Sequence, residues 1–214
     1  MLGARTAAWA KSGSPTPASY GGLCFAAEAD NSSVQLTAVG SAPAVTLVKS
    51  FDGVNWSDYT VGEVIELPSV GDFVYLAAGE GGNETFGSSS SNYHQFVING
   101  LVAASGDITS LRNFDLAQTT LAQYCYRSMF QGCTGLTSAP ELPATTLASN
   151  CYRSMFNGCT NLSLIKVHFT AWETQTNTWV SNVSPTGTFY KPSALPEEYG
   201  MNRIPTGWTV MNID

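Results

Sequence analysis

The side chains able to do bond-making chemistry in this chain are few, and their spacing keeps them apart. Its two histidines, His94 and His168, stand 74 positions from one another. A Ser-His-Asp or Cys-His group would need one of them beside a nucleophile and an orienting acid. No G-x-S-x-G elbow or local cysteine signature supplies that setting. His94 is expected at an exposed strand or loop edge, and His168 in the last rung of the repeats described below. The acid pairs Glu197-Glu198 and Glu63/Glu66 are of the residue type used in glycoside hydrolysis, but closeness in sequence does not set the carboxyl separation of about 5 to 9.5 Å which that reaction needs. They read as solvated acids. Cys24, Cys125, Cys133, Cys151 and Cys159 form an odd set without the paired C-x-x-C spacing of a zinc site. They read as mostly reduced core thiols, with one or two disulfides as the alternative. No catalytic residue, metal or cofactor is expected, and the chain is read as a non-enzyme.

What remains is the chemistry of binding. Aromatic rings can stack on sugars, and Tyr and Trp add a polar handle. Tyr124, Tyr126 and Tyr152, together with Trp172 and Trp179 nearer the C-terminus, are candidate ligand contacts; core or cap packing is the alternative for each. Arg127 and Arg153 recur 26 positions apart. They are expected to form a ladder with neighbouring acids or carbonyls, and an anion-binding stripe is the alternative.

These residues belong to an internal repeat. Thr119 to Leu136 reads TTLAQYCYRSMFQGCTGL and Thr145 to Leu162 reads TTLASNCYRSMFNGCTNL, identical at 14 of 18 positions. Periods of about 20–29 residues belong to leucine-rich-repeat coils. Leu121, Cys125, Met129, Phe130 and Cys133 fall at i, i+4, i+8, i+9 and i+12, as do Leu147, Cys151, Met155, Phe156 and Cys159. That spacing predicts one buried face of a helix, capped by the preceding threonines and released at Gly132 or Gly158. LTSAPELPA then returns in extended form, because its prolines forbid helix. Stacked coils would bring Cys125 over Cys151 and Cys133 over Cys159 as buried thiol ladders.

The flanking segments read differently. Residues 1–33 contain SGSPTPAS and ADNSS without a sustained period, as in an extended arm or linker. From Val34 the pattern alternates. Short strands follow at AVTLVKS, VGEVIELP, DFVYLAA, YHQFVI and LVAAS; the last two are expected to pair as a hairpin through Asn99-Gly100. Ser50-Phe51-Asp52-Gly53-Val54-Asn55-Trp56 approaches an Asp-box turn, a structural device in which the carboxylate accepts backbone N–H bonds. The expected class is therefore α+β: an antiparallel β-sandwich over 34–107, leucine-rich-repeat-like coils over 108–170, and an aromatic cap over 171–214.

Composition narrows the partners. With 214 residues, 9 basic and 16 acidic side chains, and charged residues at only 12%, the chain carries no basic cluster to drive counterion release, which argues against nucleic acid. No apolar run reaches the roughly 18 residues of a membrane span, and the N-terminus is a poor secretory signal.

The repeat LASNCYRSMFNGCTNL with its LTSAPELPATTLA linker resembles BspA-type leucine-rich repeats, found in surface proteins of gut Bacteroidales and in their phages and prophages. The tail WVSNVSPTGTFYKPSALP…RIPTGWTV resembles the C-terminal cap of that group, and the alternating segment before the repeats resembles the β-domain that often precedes them. The resemblance implies adhesion or surface contact. The expected role is a virion-surface protein of a phage, of fibre or decoration type. It would be made in the bacterial cytoplasm, anchored to other virion proteins through the N-terminal arm, homo-oligomeric, and in contact with a host glycan or protein. A bacterial cell-surface adhesin is the alternative.

Overall fold

The computed structural model describes residues 20–116 and 120–214. The regular structure is almost wholly β. In chain order the strands are β1 (Cys24–Ala27), β2 (Ser32–Val39), β3 (Leu47–Ser50), β4 (Ser57–Tyr59), β5 (Val64–Leu67), β6 (Phe73–Ala78), β7 (Tyr93–Asn99), β8 (Val102–Ser105), β9 (Leu136–Ser138), β10 (Leu164–Lys166), β11 (Thr188–Lys191) and β12 (Thr209–Asn212). Period-two patterning sets their faces. In β7, His94, Phe96 and Ile98 are buried, while Tyr93, Gln95 and Val97 face outward or lie at the margin.

One mixed sheet runs through the protein in the order β12-β11-β10-β9-β8-β1-β6-β3-β4. Its strands are parallel from β8 to β12 and antiparallel from β8 through β1 to β4. A second, antiparallel sheet has the order β5-β2-β7.

Over residues 122–133 and 148–159 the chain forms a ribbon of overlapping turns. Alternate N–H groups close locally: those of Cys125, Arg127, Met129 and Gln131 donate to the carbonyls of Ala122, Tyr124, Tyr126 and Ser128 at 3.0–3.3 Å. The intervening groups reach the next coil. Tyr126, Ser128, Phe130 and Gly132 donate to Cys151, Arg153, Met155 and Asn157 at 2.8–3.0 Å. The second copy repeats this onto Gln175, Asn177, Trp179 and Ser181. On the opposite side, Phe86 and Phe96 donate to the carbonyls of Cys125 and Met129. The ribbon thus continues the layer begun by the small sheet.

The core lies between the layers. Phe96 stacks on Phe130 at a centroid distance of 5.1 Å, Phe130 on Phe156 at 5.7 Å, and Trp179 follows at 6.0 Å. A second row runs Phe86, Tyr126, Tyr152, Trp179 at 6.1–6.5 Å. Each such ring contributes roughly 1.5–3 kcal/mol by leaving water. At the far end Phe189 packs on Trp179 at 6.1 Å, and Leu195, Ile204 and Trp208 belong to the same buried core.

Several expectations are corrected here. The α+β class fails: among the described residues the regular helical pieces are two 3-10 turns, Ile108–Leu111 and Thr174–Thr176, and the expected repeat helices are the turn ribbon. Its backbone is left-handed at every fourth residue, with φ of 60°, 55° and 75° at Tyr124, Ser128 and Gly132, and 57°, 56° and 83° at Asn150, Ser154 and Gly158. A right-handed helix cannot contain those values. The separate sandwich followed by a repeat solenoid also fails, because β8 pairs with β9 across the expected boundary and makes one sheet. The β7–β8 hairpin is absent: the chain turns at Asn99-Gly100 from the small sheet into the large one. Residues 1–19 of the expected arm lie outside the described residues, while its remainder carries β1, held between β6 and β8.

Candidate functional site

The turn ribbon buries one side of each copy. Cys125, Met129, Phe130 and Cys133, with Cys151, Met155, Phe156 and Cys159, are at most 3% exposed, Leu121 is buried, and Leu147 is half-buried against them. All five cysteines are free and buried. The Cys133 and Cys159 thiols donate to the Phe96 and Phe130 carbonyls at 3.0 and 2.9 Å. Burial raises the thiol pKa of Cys24 and Cys125 to about 11 and of Cys133 to about 12, which keeps them protonated and poorly nucleophilic.

The candidate contact residues divide between core, cap and surface. Tyr126, Tyr152 and Trp179 are fully buried members of the aromatic rows, so they face the interior. The Tyr126 hydroxyl donates to the Ile108 carbonyl at 3.3 Å. Trp172 belongs to the cap: it packs on Phe169 and Trp179, donates through Nε1 to the Pro196 carbonyl at 2.7 Å, and lies under the Arg203 guanidinium. Tyr124, Arg127 and Arg153 are half-buried on the ribbon.

Because Tyr126 stacks on Tyr152 and Phe130 on Phe156, the in-register position between them sets Arg127 beside Arg153. Tyr93, Tyr124 and Arg153 all lie within electrostatic reach of Arg127. Partial burial lowers the Arg127 pKa most, the Arg153 charge lowers it further, and Tyr93 and Tyr124 act the other way; a guanidinium still remains protonated at neutral pH. The Arg127 Nε and Nη1 atoms are buried without a hydrogen-bond partner. The expected ladder of arginines with acids or carbonyls is therefore not what forms.

The other described cations are satisfied. Lys49 pairs with Glu63, Lys166 with Glu141 and Arg203 with Glu198. Arg112 donates to the Glu84 and Thr120 carbonyls, and the buried Lys191 to the Leu195 carbonyl at 2.7 Å. Among the described lysines and arginines only Arg127 and Arg153 have no side-chain hydrogen bond or ion pair. All 16 carboxylate side chains lie in the described residues, so no missing acid completes them.

Tyr93 was not anticipated as part of this surface. The signal available was the alternation in YHQFVIN, which places Tyr93 and Gln95 on the face opposite His94 and Phe96. Gln95 donates through Nε2 to the Gln131 carbonyl and ties β7 to the first coil.

Other concavities offer less chemistry. A groove of about 1100 Å³ is lined by Ala42, Pro43, Val45, Trp56, Asp58 and His94, among others. His94, expected at an exposed edge, is 2% exposed. Its Nδ1 lies 3.1 Å from the Phe86 carbonyl, and that contact engages a main-chain oxygen, not a nucleophile. His168 does lie beside a carboxylate: its Nε2 is 2.5 Å from Glu141 Oε1, which Lys166 Nζ shares at 2.9 Å. Burial pulls the Glu141 pKa up, but the hydrogen bonds and charges of Lys166 and His168 outweigh it and leave the carboxyl below its usual range. Asp52 accepts N–H bonds from Val54 and Asn55 at 2.8 and 2.7 Å, and these bonds depress its pKa strongly.

Among the described residues no group of three or more His, Cys, Asp or Glu could hold a metal ion, and no helix is long and apolar enough to cross a membrane. Compared with protein-family models, curated proteins and solved structures, the chain matches none.

Proposed function

We propose that the chain is a non-enzymatic binding and structural protein of a phage virion surface, of fibre or decoration type, that meets a host-surface glycan or protein. The observation that carries the binding role is the Arg127/Arg153 pair, half-buried cations on a hydrogen-bonded ribbon that no described residue neutralises. A rigid, hydrogen-bonded platform loses little conformational freedom on contact, so its side chains are preorganised for a partner. The virion placement rests on the BspA-like repeat sequence and on five buried reduced thiols, a state suited to folding in a reducing cytoplasm. Homo-oligomerisation and anchoring to virion proteins through residues 1–33 belong to the same reading.

The test is the protein's location. Mass spectrometry of gradient-purified particles and immunogold labelling are expected to find the chain at a fixed stoichiometry on the particle exterior. Its absence from particles, with recovery in the outer-membrane fraction of uninfected cells, would overturn the virion reading in favour of a bacterial adhesin.

A further inference from the structure

We propose that Arg127 and Arg153 bind the acidic groups of a polysaccharide, carboxylate or sulfate, on the face of the ribbon near Tyr93 and Tyr124. The glycan class deepens the surface-contact reading above and rests on it. The anion itself is argued from the site alone.

Three observations converge. Arg127 and Arg153 are the two described basic side chains left without an acceptor, although the fold satisfies every other described one with a carboxylate or carbonyl. They are also neighbours of like charge, and each lowers the cost of an anion placed against both. Finally, Arg127 is already partly dehydrated, with Nε and Nη1 out of water and unbonded. An oxyanion arriving at the remaining Arg127 Nη2 therefore displaces less hydration there than at a free surface arginine, and the Arg153 guanidinium adds further charged donors beside it.

The surroundings narrow the class. Tyr93 and Tyr124 lie within electrostatic reach of Arg127, and phenol rings pack on the apolar faces of sugar rings while their hydroxyls exchange hydrogen bonds. Gln131 and Asn157, half-buried on successive copies, add amide groups of the kind that bond sugar hydroxyls. Two cations on a chain of net charge −7 can hold an isolated acidic substituent but cannot neutralise a long run of phosphates. This favours a glycan with spaced acidic groups over nucleic acid.

The experiment measures binding of the full purified chain to polygalacturonate, dextran sulfate, neutral dextran and single-stranded DNA by biolayer interferometry at two salt concentrations. Wild-type protein is expected to bind at least one of the two acidic polysaccharides, to prefer it over DNA, and to ignore neutral dextran; the preferred polymer separates carboxylate from sulfate. Arg127→Gln and Arg153→Gln are each expected to weaken binding by ~10-fold or more, and the double variant to abolish it. Thermal unfolding keeps the result interpretable: removing one of two repelling charges is expected to leave the midpoint unchanged or higher. If Arg127→Gln fails to fold, Arg153→Gln carries the comparison. No binding to either acidic polymer, equal binding by the double variant, or DNA binding of equal strength would overturn the proposal. These outcomes are independent of where the protein resides. A chain found on particles that ignores both polymers sinks the glycan site alone, and one that binds them but is absent from particles sinks the virion reading alone.

Discussion

His94 lies in β7 with its ring out of water, and that burial pulls its pKa below the ordinary histidine value, offset in part by the Phe86 carbonyl. In the unfolded chain the same ring titrates near 6.5. Between the two values the unfolded state binds more protons, so this contribution to stability is complete above about pH 6.5 and is lost as pH falls toward the folded pKa. Thermal unfolding at pH 7.5 and 5.5 is expected to show a lower midpoint at the acid value, and His94→Phe is expected to shrink that difference. Equal pH dependence in the two proteins would show that His94 does not titrate across folding. The burial of this residue was hard to read. Tyr-His-Gln-Phe-Val-Ile-Asn offers apolar residues in both strand phases, and Phe96 with Ile98 wins over Val97 only because Phe130 is there to stack on. The repeat core was legible, since identical apolar residues recurring in two copies need the same environment twice. Arginines 127 and 153 were legible as a pair, but their lack of acid partners depends on which residues the fold brings near.

At the scale of the element, the ribbon explains why a helix was expected. Its inward side chains recur every four residues or so, and a period of four cannot be told from 3.6 over a segment of a dozen residues. The distinguishing fact is backbone handedness, which apolar spacing does not encode; Tyr124, Ser128, Asn150 and Ser154 adopt left-handed φ without being glycine. Each costs roughly 1–2 kcal/mol. The hydrogen bonds to the neighbouring coil offset that at roughly 0.5–1.5 kcal/mol apiece, together with the burial of the ring beside them. Far-UV circular dichroism of the purified chain is therefore expected to lack helical minima; a strong 222 nm band would contradict the ribbon. Two glycines separate handedness from crowding. A Cβ at Gly132 meets nothing within 4 Å but sits at φ +75°, whereas one at Gly135 would fall 1.9 Å from the Gly100 carbonyl oxygen. Gly132→Ala is expected to cost roughly 1–2 kcal/mol from φ alone. Gly135→Ala should cost more, because the Asn99-Gly100 corner and the Val102 N–H bond to the Gly135 carbonyl must shift. Urea titration ranks the two, and a neutral Gly135→Ala would mean that the first coil does not press on that corner.

For the molecule as a whole, the question is whether the coils and the β-domain unfold together. In long repeat arrays each unit touches only its neighbours, and cooperativity can break down along the stack. Here the stack is short and both its layers are continuous with the β-domain: β9 is hydrogen-bonded to β8, and the first ribbon receives N–H bonds from Phe86 and Phe96. Removing residues before 108 would strip Phe96 from the face of Phe130 and leave the Met129 carbonyl open. The Phe25–Phe130 and Phe86–Tyr126 ring contacts would go with them, more than a fragment of this size can lose. The tryptophans permit a direct test, because Trp56 packs with Tyr20 and Phe114 in a satellite cluster of the β-domain while Trp179 and Trp208 close the far end. A variant with Trp9→Phe and Trp56→Phe reports the far end by fluorescence, and one with Trp9→Phe, Trp172→Phe, Trp179→Phe and Trp208→Phe reports the near end. Because those substitutions themselves change stability, each variant is compared with its own circular dichroism transition. Coincident curves in both proteins are expected, together with a fragment of residues 108–214 that fails to fold. A fluorescence transition at the far end that separates from the loss of β signal, or a folded fragment, would show that the shared sheet does not couple the two ends.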